Sequence, residues 1–292
     1  MDIQFYNRYT QKMETEQVYG EAFLKWTYAN PFGKLALHGF VKRPAFSQWY
    51  GWRMNQPKSQ KKVNPFIRNY KMNTDEFADH PESYATFNEF FYRRLKRSAR
   101  PIATDHAVFP ADGRHLGFQN ITNANGVFVK GQKFDLDALI ADSEISQRYR
   151  NGSLVLSRLC PVDYHRFHFP VSGQAGKTRL VNGPLFSVSP IALARNISYL
   201  WQNKRTLTEI KTKDLGNVLM MEIGATCVGS ISQTYAPNDM FDKGHEKGYF
   251  AFGGSSTITL FEPGAIKLAD DLLKNSEKQI DTYALMGDSM GN

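Results

Sequence analysis

Three short segments of this 292-residue chain carry side chains that could together perform nucleophilic chemistry. Two serines follow two glycines in Gly253–Ser256, two histidines lie three residues apart in Asp163–Pro170, and Asp112 lies in the turn Phe109–Gly113. A carboxylate, a histidine and a serine are the groups of an activated-nucleophile triad. Each group taken singly also has a structural explanation: a hairpin turn for the serines, a turn cap for Asp112 and a core position for a histidine.

The glycine pair interrupts a stretch that otherwise has the pattern of a β-strand. Apolar residues alternate before Gly253, and the alternation resumes over Thr257–Phe261. Two glycines inside a strand mark a bulge or a close backbone approach. A hydroxyl group directly after such a kink could attack the carbonyl group that precedes it.

Other chemistries fit the same residues less well. His165 and His168 would lie on opposite faces of an extended segment, although a turn could bring them together. No HExxH motif or Cys/His cluster supports a metal site, and no GxxxxGK[ST] motif supports a phosphate loop. An uncleaved serine hydrolase that uses Ser255, His168 and Asp112 would lack the GxSxG elbow. The sequence therefore predicts no metal.

The elements that must position these groups change in character near residue 100. Residues 1–100 have a helical pattern, and Thr86-Phe-Asn-Glu89 fits a capping box for a helix that ends near Arg97. The other predicted helices of this part are Glu14–Ala29, Pro31–Val41, Ala45–Met54 and Asn64–Tyr70.

From Pro101 onward, short segments with a β-strand pattern are separated by Gly, Asn and Pro residues. The predicted strands are His115–Gln119, Val127–Val129, Leu154–Leu156, Val218–Ile223, Cys227–Ser232, Tyr249–Phe252 and Thr257–Phe261. Short helices are expected at Leu136–Asp142 and Ile191–Gln202, and an amphipathic helix over Ile266–Met286. This spacing predicts an α+β fold in which a helical region, 1–100, packs on a β-rich, mainly antiparallel catalytic domain, 101–292.

The positive charge of the chain is concentrated in its N-terminal third. Residues 1–108 contain 17 Lys and Arg against 10 Asp and Glu, whereas residues 109–292 contain 19 against 18. Aromatic residues mixed with these cations suit the surface of an anionic bilayer. The alternatives are that the charge serves solubility and that the rings pack inward. Nucleic acid is not an expected partner, because the cations are scattered and no nucleic-acid-binding signature is present.

Composition also bears on localisation. The two cysteines, Cys160 and Cys227, lack CxxC spacing and suit a reducing compartment. The N-terminal residues do not have the pattern of a signal peptide, and no run of about 18 apolar residues could span a membrane. We therefore expect a cytoplasmic protein that associates peripherally with a membrane.

Several segments, in their order along the chain, resemble the phosphatidylserine decarboxylase family. They are Phe90–Leu95 with Arg100-Pro-Ile, Phe109–Gly113, Val129–Phe134, Leu159–His168, Gly183–Pro190, Ile223–Ile231, Lys243-Gly244 with Glu246, and Gly253–Ser256. The resemblance covers most of the chain from about Tyr28. Counting back from Leu260–Gly264 aligns the family's processed serine with Ser255, and Ser256 then stands where many members have threonine.

The resemblance implies a proenzyme that cuts itself between Gly254 and Ser255. In that scheme Asp112 orients His168, which takes the proton from Ser255. The products are a β chain, 1–254, and an α chain, 255–292, which form a heterodimer. Ser255 becomes a covalent pyruvoyl group, which is the cofactor.

The resemblance also implies the substrate and the reaction. The pyruvoyl group forms a Schiff base with phosphatidylserine in an anionic membrane, and the products are phosphatidylethanolamine and CO2. His165 is the candidate that assists decarboxylation or reprotonation, with an orienting role toward the substrate's phosphate or carboxylate as the alternative. Other functions left open are a pyruvoyl decarboxylase of a soluble amino acid or another serine-headed lipid, and an unprocessed lipid-binding protein. A homodimer is also left open.

Overall fold

The computed structural model describes residues 3–16, 26–28, 30–37, 42–124, 134–226, 230–251 and 255–292. Within this part of the chain, short helices accompany a large and mostly antiparallel sheet, so the predicted α+β class is confirmed. The predicted strand at Val127–Val129 and the predicted cleavage residue Gly254 lie outside the described residues.

The described residues form the following strands and helices. The strands are β1 Gln4–Asn7, β2 Lys12–Thr15, β3 Ala107–Val108, β4 Gly113–Phe118, β5 Ser153–Leu159, β6 Arg166–His168, β7 Gly173–Ala175, β8 Arg179–Val181, β9 Arg205–Lys211, β10 Asn217–Ile223, β11 Ile231–Gln233, β12 Met240–Phe241, β13 Glu246–Phe250, β14 Ser255–Phe261, β15 Asp281–Ala284 and β16 Ser289–Gly291. The α-helices are α1 Pro31–Ala36, α2 Pro44–Met54, α3 Val63–Asn69, α4 Phe87–Phe91, α5 Leu136–Ile140, α6 Ser143–Tyr149, α7 Pro190–Leu193, α8 Tyr199–Gln202 and α9 Asp270–Glu277.

The large sheet places β14 near its centre. Its strand order is β12-β7-β9-β10-β14-β5-β4-β15-β1-β2, with β8 also paired to β9. The β1–β15 pair is parallel, and the other pairs of this sheet are antiparallel. A separate three-stranded sheet, β11-β13-β6, carries His168 in β6, and His165 directly precedes that strand.

Strand β14 is buried on both faces along its whole length. Its even-numbered apolar residues, Ile258 and Leu260, belong to one hydrophobic cluster, and Phe261 on the other face belongs to a second. Because side chains alternate along a strand, Ser255 faces the second cluster. That cluster also contains Phe167 of β6 and Phe250 of β13, so Ser255 faces the layer formed by the three-stranded sheet.

The helical region has a hydrophobic cluster of its own. It contains Met54, Val63, Phe66, Phe77, Tyr84, Phe87, Phe90 and Phe91. The predicted cap of α4 is present, because the Glu89 backbone N–H donates to the Thr86 hydroxyl at 3.2 Å. The helix ends at Phe91 rather than near Arg97.

The helical prediction for the first residues of the chain is wrong. Residues 4–15 form the β1–β2 hairpin, which extends the large sheet at β15. Strand pairing there outweighs the helix propensity of residues such as Glu14, because intrinsic helix propensity is only a weak preference. Glu16 then enters the interior, where its carboxylate accepts a hydrogen bond from Arg158 at 2.9 Å.

Two other predicted helices are shorter than expected. The Ile266–Met286 segment contains α9, and Gln279 then adopts a left-handed conformation with φ of 59° before β15 begins. Pairing of β15 with both β1 and β4 converts the remainder to a strand. The Ile191–Gln202 segment is divided into α7 and α8.

Two glycines give a matched test of the packing. A Cβ atom on Gly113 would lie 2.3 Å from the Arg158 carbonyl oxygen, whereas one on Gly51 of α2 has open space around it. We expect Gly113→Ala to lower the free energy of unfolding by about 1–3 kcal/mol. Gly51→Ala should raise it by about 0.5–1 kcal/mol, because alanine is the better helix former. Urea unfolding measures both, and equal effects would contradict the packing described here.

Candidate active site

Ser255 is the first residue of β14 and is completely buried. Its backbone is held opposite Leu159 of β5. Its Oγ atom has no hydrogen-bond partner among the residues that the structure describes. Among the described residues, the hydroxyl oxygens of Ser256, Thr257 and Thr259 in the same strand also lack a partner, at a similar cost in free energy. The position of Ser255 directly after the glycine pair is what makes its oxygen the candidate reactive group.

The connection between β5 and β6 holds the chain on both sides of residues 251–254. Downstream, Ser255 is paired with Leu159, the last residue of β5. Upstream, the Phe250 backbone N–H donates to the carbonyl oxygen of His165 at 2.9 Å. His165 is therefore tied through its backbone to the strand that enters the predicted cleavage segment.

The imidazole of His165 is fixed from two sides. Its Nδ1 atom lies 3.0 Å from the Asp163 carbonyl oxygen, so in the neutral ring Nδ1 carries the proton and Nε2 is the basic nitrogen. The ring of Phe91, at the end of α4, packs against it with a centroid distance of 3.9 Å. The helical region thus contributes directly to the position of this histidine.

Arg93 holds the same loop in place, a role that its position in the segment Phe90–Leu95 does not indicate. Its guanidinium group is buried and donates to the carbonyl oxygens of Val162 and Asp163 at 3.4 and 3.3 Å. It also lies over the rings of Phe77 and Phe90, 4.8 and 5.2 Å from their centroids. Burial lowers the pKa of Arg93 to about 10, against the opposing effect of Asp112.

The carboxylate of Asp163 anchors the loop to the large sheet. It accepts two hydrogen bonds from Arg114 Nη1, at 2.8 and 2.6 Å, and one from the Cys160 backbone N–H at 2.6 Å. Arg114 lies on β4 and is buried, so this ion pair is shielded from solvent. Nothing in a single sequence distinguishes such an arginine from the many exposed ones.

The structure places His168 beside the turn that carries Asp112, but the two side chains bind other groups. The His168 N–H donates to the Pro110 carbonyl oxygen at 2.8 Å, so β6 lies against the turn that carries Asp112. The Asp112 carboxylate accepts hydrogen bonds from Arg100 at 2.6 to 3.1 Å and from the Met286 N–H at 2.9 Å.

Gly244 and Tyr164 are the hydrogen-bond partners of the His168 ring. Nδ1 lies 3.0 Å from the Gly244 carbonyl oxygen, and Nε2 lies 3.3 Å from the Tyr164 hydroxyl. The carbonyl contact places the proton of the neutral ring on Nδ1, which leaves Nε2 as the base. Burial lowers the pKa of His168 to about 4, although Gly244, Glu246 and Asp112 each act to raise it.

Within the described part of the chain, no group of three or more His, Cys, Asp or Glu side chains is arranged to hold a metal ion. The candidate residues offer the side chains of Ser255, two histidines and Asp112 for chemistry. Ser255 supplies a buried hydroxyl, and each histidine in its neutral form supplies a basic Nε2 atom. Side chains of these types can carry out proton transfer and attack on a carbonyl group.

Comparison with known proteins places this site in a family. The sequence model described as phosphatidylserine decarboxylase matches residues 87–292, which include all four candidate residues. The chain belongs to the phosphatidylserine decarboxylase family, and the resemblance found in the sequence is confirmed.

Relatives match along nearly the whole chain. Proteins named phosphatidylserine decarboxylase proenzyme from Fusobacterium nucleatum and Clostridium kluyveri are each 44% identical to it over 292 residues. The alignments cover 99% of this chain and 97% and 98% of those relatives. The protein of the same name from Chlamydia pneumoniae is 43% identical, with 99% and 96% covered.

A solved structure, the glucose permease IIA from Mycoplasma capricolum, aligns with a TM-score of 0.28 and 14% identity. That alignment covers 63% of this chain and 92% of that one. A similarity this low carries no argument about the fold.

The protonation state of His168 is a direct test of the site geometry. Its pKa in the folded chain, about 4, lies below the ordinary value of 6.5. The unfolded chain therefore binds a proton first, and the stability contributed by neutral His168 is lost as the pH falls from about 6.5 toward about 4. We expect NMR of the labelled imidazole to show a neutral, Nδ1-protonated ring at pH 5.5. A titration midpoint near 6.5 in the folded protein would contradict the buried geometry.

Proposed function

We propose that this chain is a phosphatidylserine decarboxylase, a carboxy-lyase, that is made as a proenzyme and cleaves itself between Gly254 and Ser255. The observation that carries the proposal is the position of Ser255 at the start of a central strand. Its hydroxyl group is buried and has no partner among the described residues. Family membership supports the activity, since the relatives are named proenzymes of this decarboxylase.

Self-cleavage begins at the Ser255 hydroxyl. A base removes its proton, and the oxygen attacks the Gly254 carbonyl carbon. The C–N bond breaks as the nitrogen takes up a proton, which leaves an ester. Loss of the Ser255 Cα proton then breaks the Cβ–O bond, so Gly254 leaves as a carboxylate. Water replaces the nitrogen of the resulting dehydroalanine, and ammonia is released.

His168 is the proposed base for the first step, with Asp112 in support. Its Nε2 atom is the unprotonated nitrogen, and the low pKa keeps it neutral at physiological pH. The Gly244 carbonyl fixes the tautomer in this structure. Asp112 supplies a nearby negative charge that stabilises the protonated ring during the reaction, while Arg100 holds that carboxylate in place.

Residue 255 fits the pyruvoyl group that the family implies, because its side chain is buried and its backbone lies in the sheet opposite Leu159. A pyruvoyl group supplies an electron sink for the loss of CO2 from an amino acid. His165 is the proposed proton donor or acceptor for the substrate, since its Nε2 atom is basic and its backbone adjoins the segment that leads to residue 255.

The two chains produced by cleavage would remain associated. The α chain, 255–292, contains β14, which lies between β5 and β10 of the β chain. Ion pairs also cross between the two chains, from Arg158 to Asp281 at 2.5 Å and from Arg8 to Asp271 at 2.7 Å. We therefore propose a heterodimer that separates only when the protein is denatured.

The helical region is proposed to bind an anionic bilayer. Residues 22–74 contain ten Lys or Arg and no Asp or Glu. Four apolar side chains on the consecutive helices α1 and α2 are exposed, namely Phe32, Leu35, Trp49 and Trp52. Arg53 lies over the Trp49 ring, 5.1 Å from its centroid. No helix of the described residues is long and apolar enough to cross a membrane, and this surface suits binding in the interfacial plane.

Replacement of the two serines tests the cleavage site. We expect Ser255→Ala to stay full length and to release no CO2 from phosphatidylserine in mixed micelles, because no nucleophile is left. Ser256→Ala is the matched control and should still split. Denaturing gels and a CO2 assay measure both. Splitting of Ser255→Ala would contradict the assignment, and turnover of free serine without turnover of the lipid would contradict the substrate.

Membrane binding is tested by removing the exposed indole rings. We expect Trp49→Ala/Trp52→Ala to bind vesicles of phosphatidylserine and phosphatidylcholine about tenfold more weakly, equivalent to about 1.4 kcal/mol. The control is Leu180→Ala/Met240→Ala, which removes two exposed apolar side chains on β8 and β12. Cosedimentation measures the binding. An equal loss in the control, or binding that is indifferent to lipid charge, would contradict the proposed surface.

A further inference from the structure

A lysine and a glutamate form an ion pair in the interior, and the proposed mechanism does not use either of them. Lys247 and Glu222 are both completely buried, and Nζ lies 2.8 Å from Oε1. The other carboxylate oxygen accepts hydrogen bonds from Thr206 and Gln233, at 2.5 and 2.9 Å. Lys247 also donates to the Gln233 side-chain oxygen at 2.8 Å.

A β-bulge directs Lys247 into the interior. In the pairing of β13 with β6, Glu246 lies opposite His168 and Gly248 opposite Phe167, so Lys247 is the extra residue. Bulges change the direction of a side chain and are common beside active sites. The Lys247 ammonium group then lies 5.6 Å from the centroid of the Phe167 ring.

Gly248 makes this bulge sterically feasible. A Cβ atom at this position would lie 2.1 Å from the Ser232 carbonyl oxygen and 2.6 Å from the Phe167 ring. A side chain would therefore force β13 away from both neighbouring strands. The glycine permits the close approach that brings Lys247 over the large sheet.

The ion pair joins the two structural units that flank the predicted cleavage segment. Lys247 lies on β13, the strand that precedes residues 251–254. Glu222 lies on β10 and is paired with Thr257 of β14, the strand that follows them. Ser255 lies two residues before Thr257 on the same face of the strand, so it is a diagonal neighbour of Glu222.

Stability alone does not account for such a pair. Removing two charges from water is costly, and apolar replacements of a buried ion pair are often neutral or stabilising. What a buried and hydrogen-bonded pair does provide is a fixed geometry between the elements that carry it. Here those elements are the two ends of the segment that contains the Gly254–Ser255 bond.

We propose that Lys247 and Glu222 are positioning residues for self-cleavage. Their ion pair fixes β13 relative to β10 and β14, and it thereby sets the approach of the Ser255 hydroxyl to the carbonyl group before it. The inference rests on the proposed function, because it concerns the rate of the same cleavage. It adds two residues that act on the first step without contact with the reacting atoms.

The test is a neutral replacement of the pair. Lys247→Met/Glu222→Gln keeps the volume of both side chains, leaves no unpaired buried charge and retains amide partners for Thr206 and Gln233. Because small displacements of reacting groups cost up to about 100-fold in rate, we expect cleavage of newly synthesised chain to slow by about 10- to 100-fold. The readout is the fraction of split chain with time on denaturing gels.

A surface ion pair provides the matched control. Arg150 and Asp137 are joined at 2.9 Å, with side chains 56% and 54% exposed. Arg150→Met/Asp137→Asn should cleave at the unaltered rate. Both double variants are also made with Ser255→Ala, so that thermal unfolding is compared on uncleaved chains. We expect equal midpoints within a few degrees, and unfolding of the Lys247/Glu222 variant at room temperature would overturn the proposal in favour of a structural role.

Two further measurements separate positioning from the alternatives. Exchange of the two residues, Lys247→Glu/Glu222→Lys, should recover part of the lost rate because the ion pair is restored. Hydroxylamine should not split the slow full-length chain, since an ester has not formed. An unchanged rate in the neutral variant, no recovery in the exchanged one, or an ester that accumulates would each overturn the proposal. Failure of the unaltered chain to cleave would instead overturn the proposed function.

Discussion

The site depends on a strand that is buried on both faces and paired on both edges. Strand β14 begins at Ser255 and lies between β5 and β10 near the centre of the large sheet. A strand in this position is held by two ladders of hydrogen bonds and by two hydrophobic clusters. Residue 255 is therefore fixed in the sheet whether or not the chain before it is continuous. That constraint is what would allow the bond before this residue to break without loss of the fold.

The loop that carries His165 and the turn that carries Asp112 are held by buried charges rather than by apolar packing alone. Arg93 and Arg114 fix the loop that carries His165, one through backbone carbonyl groups and the other through the Asp163 carboxylate. Arg100 fixes Asp112. Each of these cations pays a desolvation cost on burial, which ion pairs, carbonyl groups or aromatic faces offset. These contacts hold the loop and the turn in defined positions, which proton transfer between fixed groups would require.

The local patterns that could be read from the sequence are those governed by short-range chemistry. Val218–Ile223 was predicted as a strand and is β10 within one residue, and the Thr86 cap was predicted from its spacing. The predicted Ile266–Met286 helix failed in its second half because β15 is stabilised by pairing with β1 and β4, which are distant in the sequence. The N-terminal hairpin was missed for the same reason.

The sequence indicated candidate residues for the site but not their contacts. Ser255, His165, His168 and Asp112 follow from the segments that resemble the family, and their assigned roles remain predictions. Arg93 and Tyr164 act through tertiary contacts, with the loop of His165 and with the His168 ring, that no spacing in the sequence indicates. The hydrogen bonds from Arg100 to Asp112 likewise depend on how the helical region packs against the sheet.

Intact mass spectrometry of the unaltered, denatured protein shows directly whether the chain cleaves itself and forms a pyruvoyl group. We expect two chains, a large one that ends at Gly254 and a small one that begins at residue 255 and is blocked to N-terminal sequencing. Borohydride reduction should add two mass units to the small chain, because it converts a ketone to an alcohol. A single chain of 33.3 kDa, or a small chain that begins with an unmodified serine, would contradict this expectation.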